Sequence, residues 1–212
     1  MNAVIFDFDG TIADSFDQVL EFLCKECGRD ITTIGAAERA ELRGLSMRQL
    51  AVKVGVPGWR LPLAFLRGKS KLTKQMHTME PFAGIEEVLA GLHAENYKLY
   101  IISSNSRRNM TRFLSEHGLG GYFIKIYPNA GWLGKSGILK RAMANHGLRP
   151  ETTIYVGDEA RDLIAAKVAG MPSVAVSWGF GSEEQLLKYS PTILVRKPSE
   201  LLKALTDWGR TS

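Results

Sequence analysis

An α/β fold is predicted: a Rossmann-like, mostly parallel sheet with helices on both faces, plus an inserted α-helical unit near the N-terminus. Three features predict it. Beyond Pro81, short runs rich in Val, Ile and Tyr alternate with stretches of helical apolar spacing, the signature of βαβ units. A strand-like run, Val4-Ile5-Phe6, stands apart at the start of the chain. Between Asp14 and Glu80 there are helical patterns and loops but no convincing strand. Residues 1–13 and 81–212 are therefore assigned to one core, and residues 14–80 to the helical insert.

Val4-Ile5-Phe6 suits a buried strand. After Asp14-Ser15, Phe16, Val19, Leu20, Leu23 and Cys27 follow the helical period, with Ser15 and Gln18 spaced as a capping box. Ser46 and Gln49 repeat that signature before Leu50 and Val54. The composition then shifts at Met79-Glu80-Pro81-Phe82. Ile85, Val88, Leu89 and Leu92 predict a helix, and residues 98–102 (KLYII) a strand. Met110, Phe113 and Leu114 predict a helix stopped at Gly118, followed by a short strand over 123–127. A helix over 138–146 ends at Gly147, a strand covers 153–156, and a helix over 160–169 is closed by Gly170 and Pro172. Strands at 173–176 and 193–195 follow, and Pro198 opens a last helix in a first-turn position that suits it.

The chain of 212 residues, 45% apolar and 23% charged, is long enough for one core with an insert. No apolar run is long enough to span a bilayer. A strand opening directly after Met1 leaves no room for a signal or transit peptide, so a cytoplasmic protein is expected. The net charge of +5 is concentrated in one place. Between Ala51 and Met79 there is no acid, but there are Lys53, Arg60, Arg67, Lys69, Lys71 and Lys74. A solvated face is the plain reading of that segment, and attraction of an anionic substrate the sharper one. Nucleic acid and membrane are not expected partners, and nothing in the chain specifies an oligomeric state. Cys24 and Cys27 end an amphipathic run ahead of Gly28, which suits helix-packing cysteines better than a redox pair.

In open α/β sheets ligands bind beyond the carboxyl ends of the strands, so the residues just after each strand matter most. The first strand gives Asp7 and Asp9, one residue apart and so expected on the same side. Two like charges there cost free energy unless a cation lies between them. The KLYII strand leads into Ser103-Ser104-Asn105, small polar groups that can hydrogen-bond an anion. The strand at 153–156 leads into Gly157-Asp158-Glu159, with Asp162 a helical turn later, and Lys135 stands just before a helix. Acids, a hydroxyl and a lysine at converging strand ends read as a site for Mg²⁺ and a phosphate group.

These residues resemble the haloacid dehalogenase superfamily of phosphohydrolases over nearly the whole chain. D-F-D-G-T at 7–11 looks like its first motif, Ser103 its second, Lys135 its third and G-D-E-A-R-D at 157–162 its fourth. The insert looks like that family's helical cap, and the small-molecule phosphatases similar to phosphoglycolate phosphatase are the nearest subgroup. The resemblance implies that Asp7 is the nucleophile and that Asp9 is the acid and base. It implies that Ser103 and Lys135 grip the phosphoryl group, with Thr11, Ser104 and Asn105 beside the substrate. It implies Mg²⁺ as cofactor, held by Asp7, the backbone carbonyl of Asp9 and Asp158, with Asp162 orienting the metal's waters or Lys135. A small anionic phosphorylated substrate is expected. Arg43, Gly44 and Arg48, in a cap loop, are candidates for its other end, and a helix start with solvent-facing arginines is the plain alternative.

Two rivals remain at this stage. "NAGWLGKS" at 129–136 is one residue short of a phosphate-binding loop and would suit a P-loop-like nucleotide-binding protein. Asn129 stands where that loop needs its first Gly, and Trp132 crowds backbone meant to wrap phosphate. A phosphomutase of the β-phosphoglucomutase kind shares the first motif. Dehalogenase chemistry is disfavoured by Asp9, which has no role where no leaving oxygen needs a proton.

Overall fold

Strand β1 (Ala3–Phe6) is apolar throughout and fully buried, as expected of a strand covered on both faces. Val4 and Phe6 face one apolar cluster, while Ala3 and Ile5 face another, following the two-residue period of a strand. In the computed structural model, which describes residues 2–60, 78–131 and 134–211, β1 lies inside a six-stranded sheet. The order is β5-β4-β1-β6-β7-β8, with β4 (Lys98–Ile102), β5 (Phe123–Tyr127), β6 (Thr153–Gly157), β7 (Ser173–Val176) and β8 (Ile193–Val195). Every pairing in it is parallel.

Helices cover both faces. Residues from α4 (Ile85–Ala94), α5 (Arg107–Glu116) and α9 (Pro198–Thr211) share a cluster with Val4, Phe6 and Phe8. Residues from α6 (Lys135–His146) and α7 (Ala160–Val168) share the opposite cluster with Ala3, Ile5 and Tyr155. A short helix, α8 (Glu183–Leu187), follows β7. Each fully buried Val, Leu, Ile, Phe or Met side chain in these clusters contributes about 1.5–3 kcal/mol relative to exposure.

β1 pairs with β4 on one side and β6 on the other, Phe6 standing beside both Ile101 and Val156. The strand order therefore reverses at β1, and the crevice beyond its carboxyl end is where such sheets bind ligands.

The segment between β1 and α4 carries α1 (Phe16–Cys27), α2 (Ala36–Arg43) and α3 (Met47–Lys53), which share an apolar cluster that Phe180 also enters. Ser46 and Gln49 form the expected capping box at α3. Ser15 and Gln18 do not: the Ser15 side chain makes no capping bond, and the Gln18 amide donates instead to the Thr78 carbonyl at 3.0 Å. The Asp14 carboxylate accepts from the Phe16 N–H at 3.3 Å in place of Ser15. The ends of this segment also hold strands that the sequence did not suggest. β2 (Ala13–Asp14) pairs antiparallel with β3 (Glu80–Pro81), so the chain leaves and re-enters the sheet region side by side. Cys24 and Cys27 are free thiols within the α1 packing, and Cys27 donates to the Val54 carbonyl at 3.2 Å. Of the basic run, Arg67, Lys69, Lys71 and Lys74 lie outside the described residues. No helix among the described residues is long and apolar enough to cross a membrane.

Candidate active site

The backbone places Asp7 first. Its N–H continues the β1–β6 ladder by donating to Val156 O at 2.8 Å, which sets its side chain at the carboxyl end of the sheet. The chain then turns tightly: Phe8 O accepts from the N–H groups of Ile12 and Ala13, at 2.9 and 3.0 Å. Phe8 itself is buried against Phe113, edge to face at 5.1 Å, which anchors the turn from below. Gly10 makes the turn possible. Its φ is +80°, and a Cβ there would lie 2.1 Å from an Asp158 carboxylate oxygen.

Asp7, Asp158 and Asp162 are buried and each offers a carboxylate oxygen within 4.8 Å of the others. Lys135, at the start of α6 and almost fully buried, places Nζ 2.9 Å from Asp7 Oδ2 and 2.5 Å from Asp162 Oδ1. Its ammonium also lies 5.5 Å from the centre of the Tyr155 ring. Asp158 is held from three directions. Thr11 Oγ1 donates to one oxygen at 2.8 Å, the Phe180 N–H donates to the other at 2.8 Å, and the Gly181 N–H donates to its carbonyl at 3.0 Å. Asp162 Oδ2 accepts the Glu159 N–H at 3.0 Å.

Charges follow from this packing. Burial, together with the charge of Asp162, pushes Asp7 up to about 7 against the pull of Lys135. Burial and the neighbouring carboxylates raise Asp158 well above the usual range. Asp162 goes the other way: burial opposes it, but Lys135 and Arg161 hold it below its ordinary value. Lys135 is desolvated too, yet Asp162 and Asp7 outweigh that and raise it, so the ammonium stays charged.

Among the described residues, three clustered carboxylates face the Lys135 ammonium, and Asp7 Oδ1 is buried with no partner. An orphaned anionic oxygen beside a second carboxylate fits a hard divalent cation, and an all-oxygen donor set suits Mg²⁺. Asp7, Asp158 and Asp162 are the residues that could hold one.

The remaining candidates divide. Asp9 is turned toward β4, where the Asn105 amide donates to both of its carboxylate oxygens at 3.1 Å. Burial raises Asp9, and that amide works against the rise. Asn105 is itself fixed, its Oδ1 accepting from Asn109 Nδ2 at 2.9 Å. Ser103 is buried at the end of β4, and its hydroxyl accepts the Asn105 N–H at 3.0 Å. Ser104 next to it is half-buried. Thr11 is fully buried, with its hydroxyl taken up by Asp158, so it supports the acid cluster from outside.

In the helical segment, Arg43 pairs with Asp14 at 3.1 Å and covers the Phe16 ring at 4.5 Å. Gly44 and Arg48 are exposed. The loop they flank reaches the site through a different group, the Met47 N–H, which donates to Glu159 Oε1 at 3.3 Å. Lys135 lies inside α6 with its ammonium on Asp7 and Asp162, so "NAGWLGKS" does not serve as a separate phosphate loop around that lysine. Trp132 and Leu133 lie outside the described residues.

Trp178-Gly179, just after a strand, is read from the sequence as a candidate rim of the site but more plainly as packing, and no role is assigned there to Glu159, Arg161 or Phe180. Glu159 pairs with Arg161 at 2.5 Å, and Trp178 donates to the Thr11 carbonyl at 3.2 Å. The signal for Trp178 and Phe180 was W-G-F-G at 178–181. Glycines flanking an aromatic residue just after a buried strand mark a close backbone approach, and a Cβ on Gly179 would meet Asp158 Oδ2 and Gly10 O, both at 2.3 Å.

The sequence matches the haloacid dehalogenase-like hydrolase family over residues 4–176. It is 35% identical to a phosphoglycolate phosphatase of Synechococcus elongatus, over 99% of this chain and 100% of that one. It is 24% identical to the pyrophosphatase PpaX of Halalkalibacterium halodurans, over 95% of each. Among solved structures, a haloacid dehalogenase-like family hydrolase from Streptococcus pneumoniae superposes with a TM-score of 0.76 at 25% identity, covering 96% of this chain and 98% of that one.

Proposed function

The chain belongs to the haloacid dehalogenase-like hydrolases, and on that premise we propose that it is a Mg²⁺-dependent phosphatase of a small phosphorylated metabolite. The observation that carries this reading is the position of Lys135 Nζ, within bonding distance of both Asp7 and Asp162, while Asp7 Oδ1 has no partner among the described residues. An ammonium and an acceptor-only carboxylate oxygen meet where a phosphoryl group would sit.

One carboxylate oxygen of Asp7 attacks phosphorus and the bond to the leaving oxygen breaks, leaving an aspartyl-phosphate. Asp9 gives its proton to that oxygen and then takes one from the water that opens the intermediate. The raised affinity of Asp9 for a proton suits the first step, and the Asn105 amide, which favours the carboxylate, suits the second. Lys135 stabilises the phosphoryl oxygens as charge spreads over them, and Ser103 would add its hydroxyl. Asp7, Asp158, Asp162 and the Asp9 carbonyl would hold Mg²⁺, which would supply charge neutralisation between nucleophile and phosphate.

Residues 14–80 would act as a helical cap over a core of residues 1–13 and 81–212. The side-by-side chain crossings at Ala13 and Pro81 support that division. The full-length likeness to a phosphoglycolate phosphatase makes phosphoglycolate the first substrate to try. The phosphomutase and nucleotide-binding readings are not favoured. A panel of phosphoglycolate, sugar phosphates, nucleotides and pyrophosphate, each with Mg²⁺, tests the proposal. Turnover of at least one phosphate ester, lost in both Asp7→Asn and Lys135→Ala, is expected. Tight ATP binding that survives Asp7→Asn and disappears in Lys135→Ala would contradict it.

A further inference from the structure

Phe180 belongs to two environments at once. Its backbone is part of the site: the N–H donates to Asp158 Oδ2, and the next N–H, of Gly181, donates to the Asp158 carbonyl. Its ring is part of the helical segment. It is buried in the cluster formed by α1, α2 and α3, and among the described residues it is the only buried member from outside residues 16–56. Within that cluster the rings of Phe16 and Phe180 lie 6.4 Å apart at 39°.

The loop has little slack. A Cβ on Gly10 would come within 2.8 Å of the Phe180 ring, and one on Gly181 would come within 2.3 Å of the Asp158 carbonyl oxygen. A shift of the α1–α3 cluster therefore draws on the ring, and the ring moves the amide that fixes Asp158.

We propose that Phe180 is a positioning residue that couples the docking of helices α1–α3 to the Asp158 carboxylate, so that divalent-cation binding and docking of the helical segment reinforce one another. The inference rests on the reading of Asp7, Asp158 and Asp162 as a Mg²⁺ site. Outer groups that hold a ligand commonly govern metal affinity, and here that outer group is anchored in the α1–α3 cluster. By linkage, what the docked helices add to cation affinity the cation returns to docking.

The test is calorimetric titration of Mg²⁺ into the metal-free full chain, wild type and variants. Phe16→Ala, which leaves every acid and the 179–181 backbone in place, is expected to weaken Mg²⁺ binding about tenfold, as is Phe180→Ala. Phe180→Leu, which keeps an apolar anchor, should stay within about twofold of wild type, and the double alanine variant should bind no more weakly than Phe180→Ala alone. A Phe16→Ala chain with an unchanged circular dichroism spectrum and wild-type Mg²⁺ affinity overturns the coupling. Should the alanine variants not fold, amide hydrogen exchange of the wild type decides. Mg²⁺ should slow exchange across α1–α3 as well as at 179–181, and slowing confined to 157–162 and 179–181 overturns the proposal. Absence of any Mg²⁺ binding by the wild type removes the metal reading itself, a result distinct from binding without coupling.

Discussion

The side-chain amide of Asn105 donates to both carboxylate oxygens of Asp9, at 3.1 Å each, and so favours the ionised acid. Asn105→Ala removes that support and should raise the Asp9 pKa further, since burial is left with less to oppose it. The limb of the kcat–pH profile that reports Asp9 should move to higher pH. At neutral pH kcat should fall by about tenfold to a hundredfold, within the range general acid–base catalysis supplies. An unmoved limb in a folded Asn105→Ala enzyme would separate Asp9 from the proton transfers.

Asp7→Asn should abolish turnover, because an amide oxygen cannot form the covalent intermediate at a useful rate. Asp9→Asn should retain the nucleophile and slow turnover by about two to four orders of magnitude. Mass spectrometry of quenched Asp9→Asn should find chain carrying one added phosphoryl group. Near-normal phosphatase activity in Asp7→Asn would end the assignment of the nucleophile.

The buried acids also predict how the metal-free chain responds to pH. Asp7, with a folded pKa raised from 3.8 to about 7, contributes stability that is present below its unfolded value and lost as pH rises through about 7. Asp158 is raised in the same direction. Asp162, held low, contributes in the opposite sense and is lost only on acidification. Thermal unfolding without metal should therefore move to lower temperature between about pH 4 and 7, and Mg²⁺ should recover the loss most strongly at the upper end. Mg²⁺ binding near neutral pH should release protons. Equal binding heats in two buffers of unlike ionisation enthalpy would refute this.

Gly179→Ala should lose Mg²⁺ binding and activity together, because the new methyl would lie only 2.3 Å from Asp158 Oδ2 and Gly10 O and push them aside. A Cβ on Gly137, in α6, meets nothing within 4 Å, so Gly137→Ala should instead stabilise the chain by about 0.5–1 kcal/mol. Comparing the melting temperatures and Mg²⁺ titrations of the two variants checks both statements. A Gly179→Ala protein that binds Mg²⁺ like the wild type would show that the 178–181 loop gives way easily.

Most of the sheet could be read from the chain because its signals are local. Val4-Ile5-Phe6, KLYII and residues 153–156 are compact apolar runs, and Gly118, Gly147 and Gly170 mark where helices stop. β2 and β3 escaped because two residues carry no periodicity, and one of them is Pro81; only the closeness of distant segments pairs them. Ser15 and Gln18 had the right spacing for a capping box, but Thr78 competes for Gln18 across the fold. Asp7, Asp158, Asp162 and Lys135 were legible as a constellation because each follows or precedes a recognisable element. The direction of a side chain was not legible. Nothing local in the sequence tells that Asp9 turns toward Asn105, that Thr11 turns inward to Asp158, or that Arg43 is drawn to Asp14.

The pairing of Ala13 with Pro81 and Asp14 with Glu80 has a consequence for how such a chain can change over generations. Both junctions of the intervening segment lie next to each other on an antiparallel rung, so the distance its ends must span is that of neighbouring strands, whatever lies between them. A shorter, longer or wholly different excursion can be grafted there without disturbing the register of β1 against β4 and β6. The rung fixes the span between the ends of the segment, while what the segment does to the strand-end acids passes through side contacts such as Phe180 on Asp158 and Met47 on Glu159.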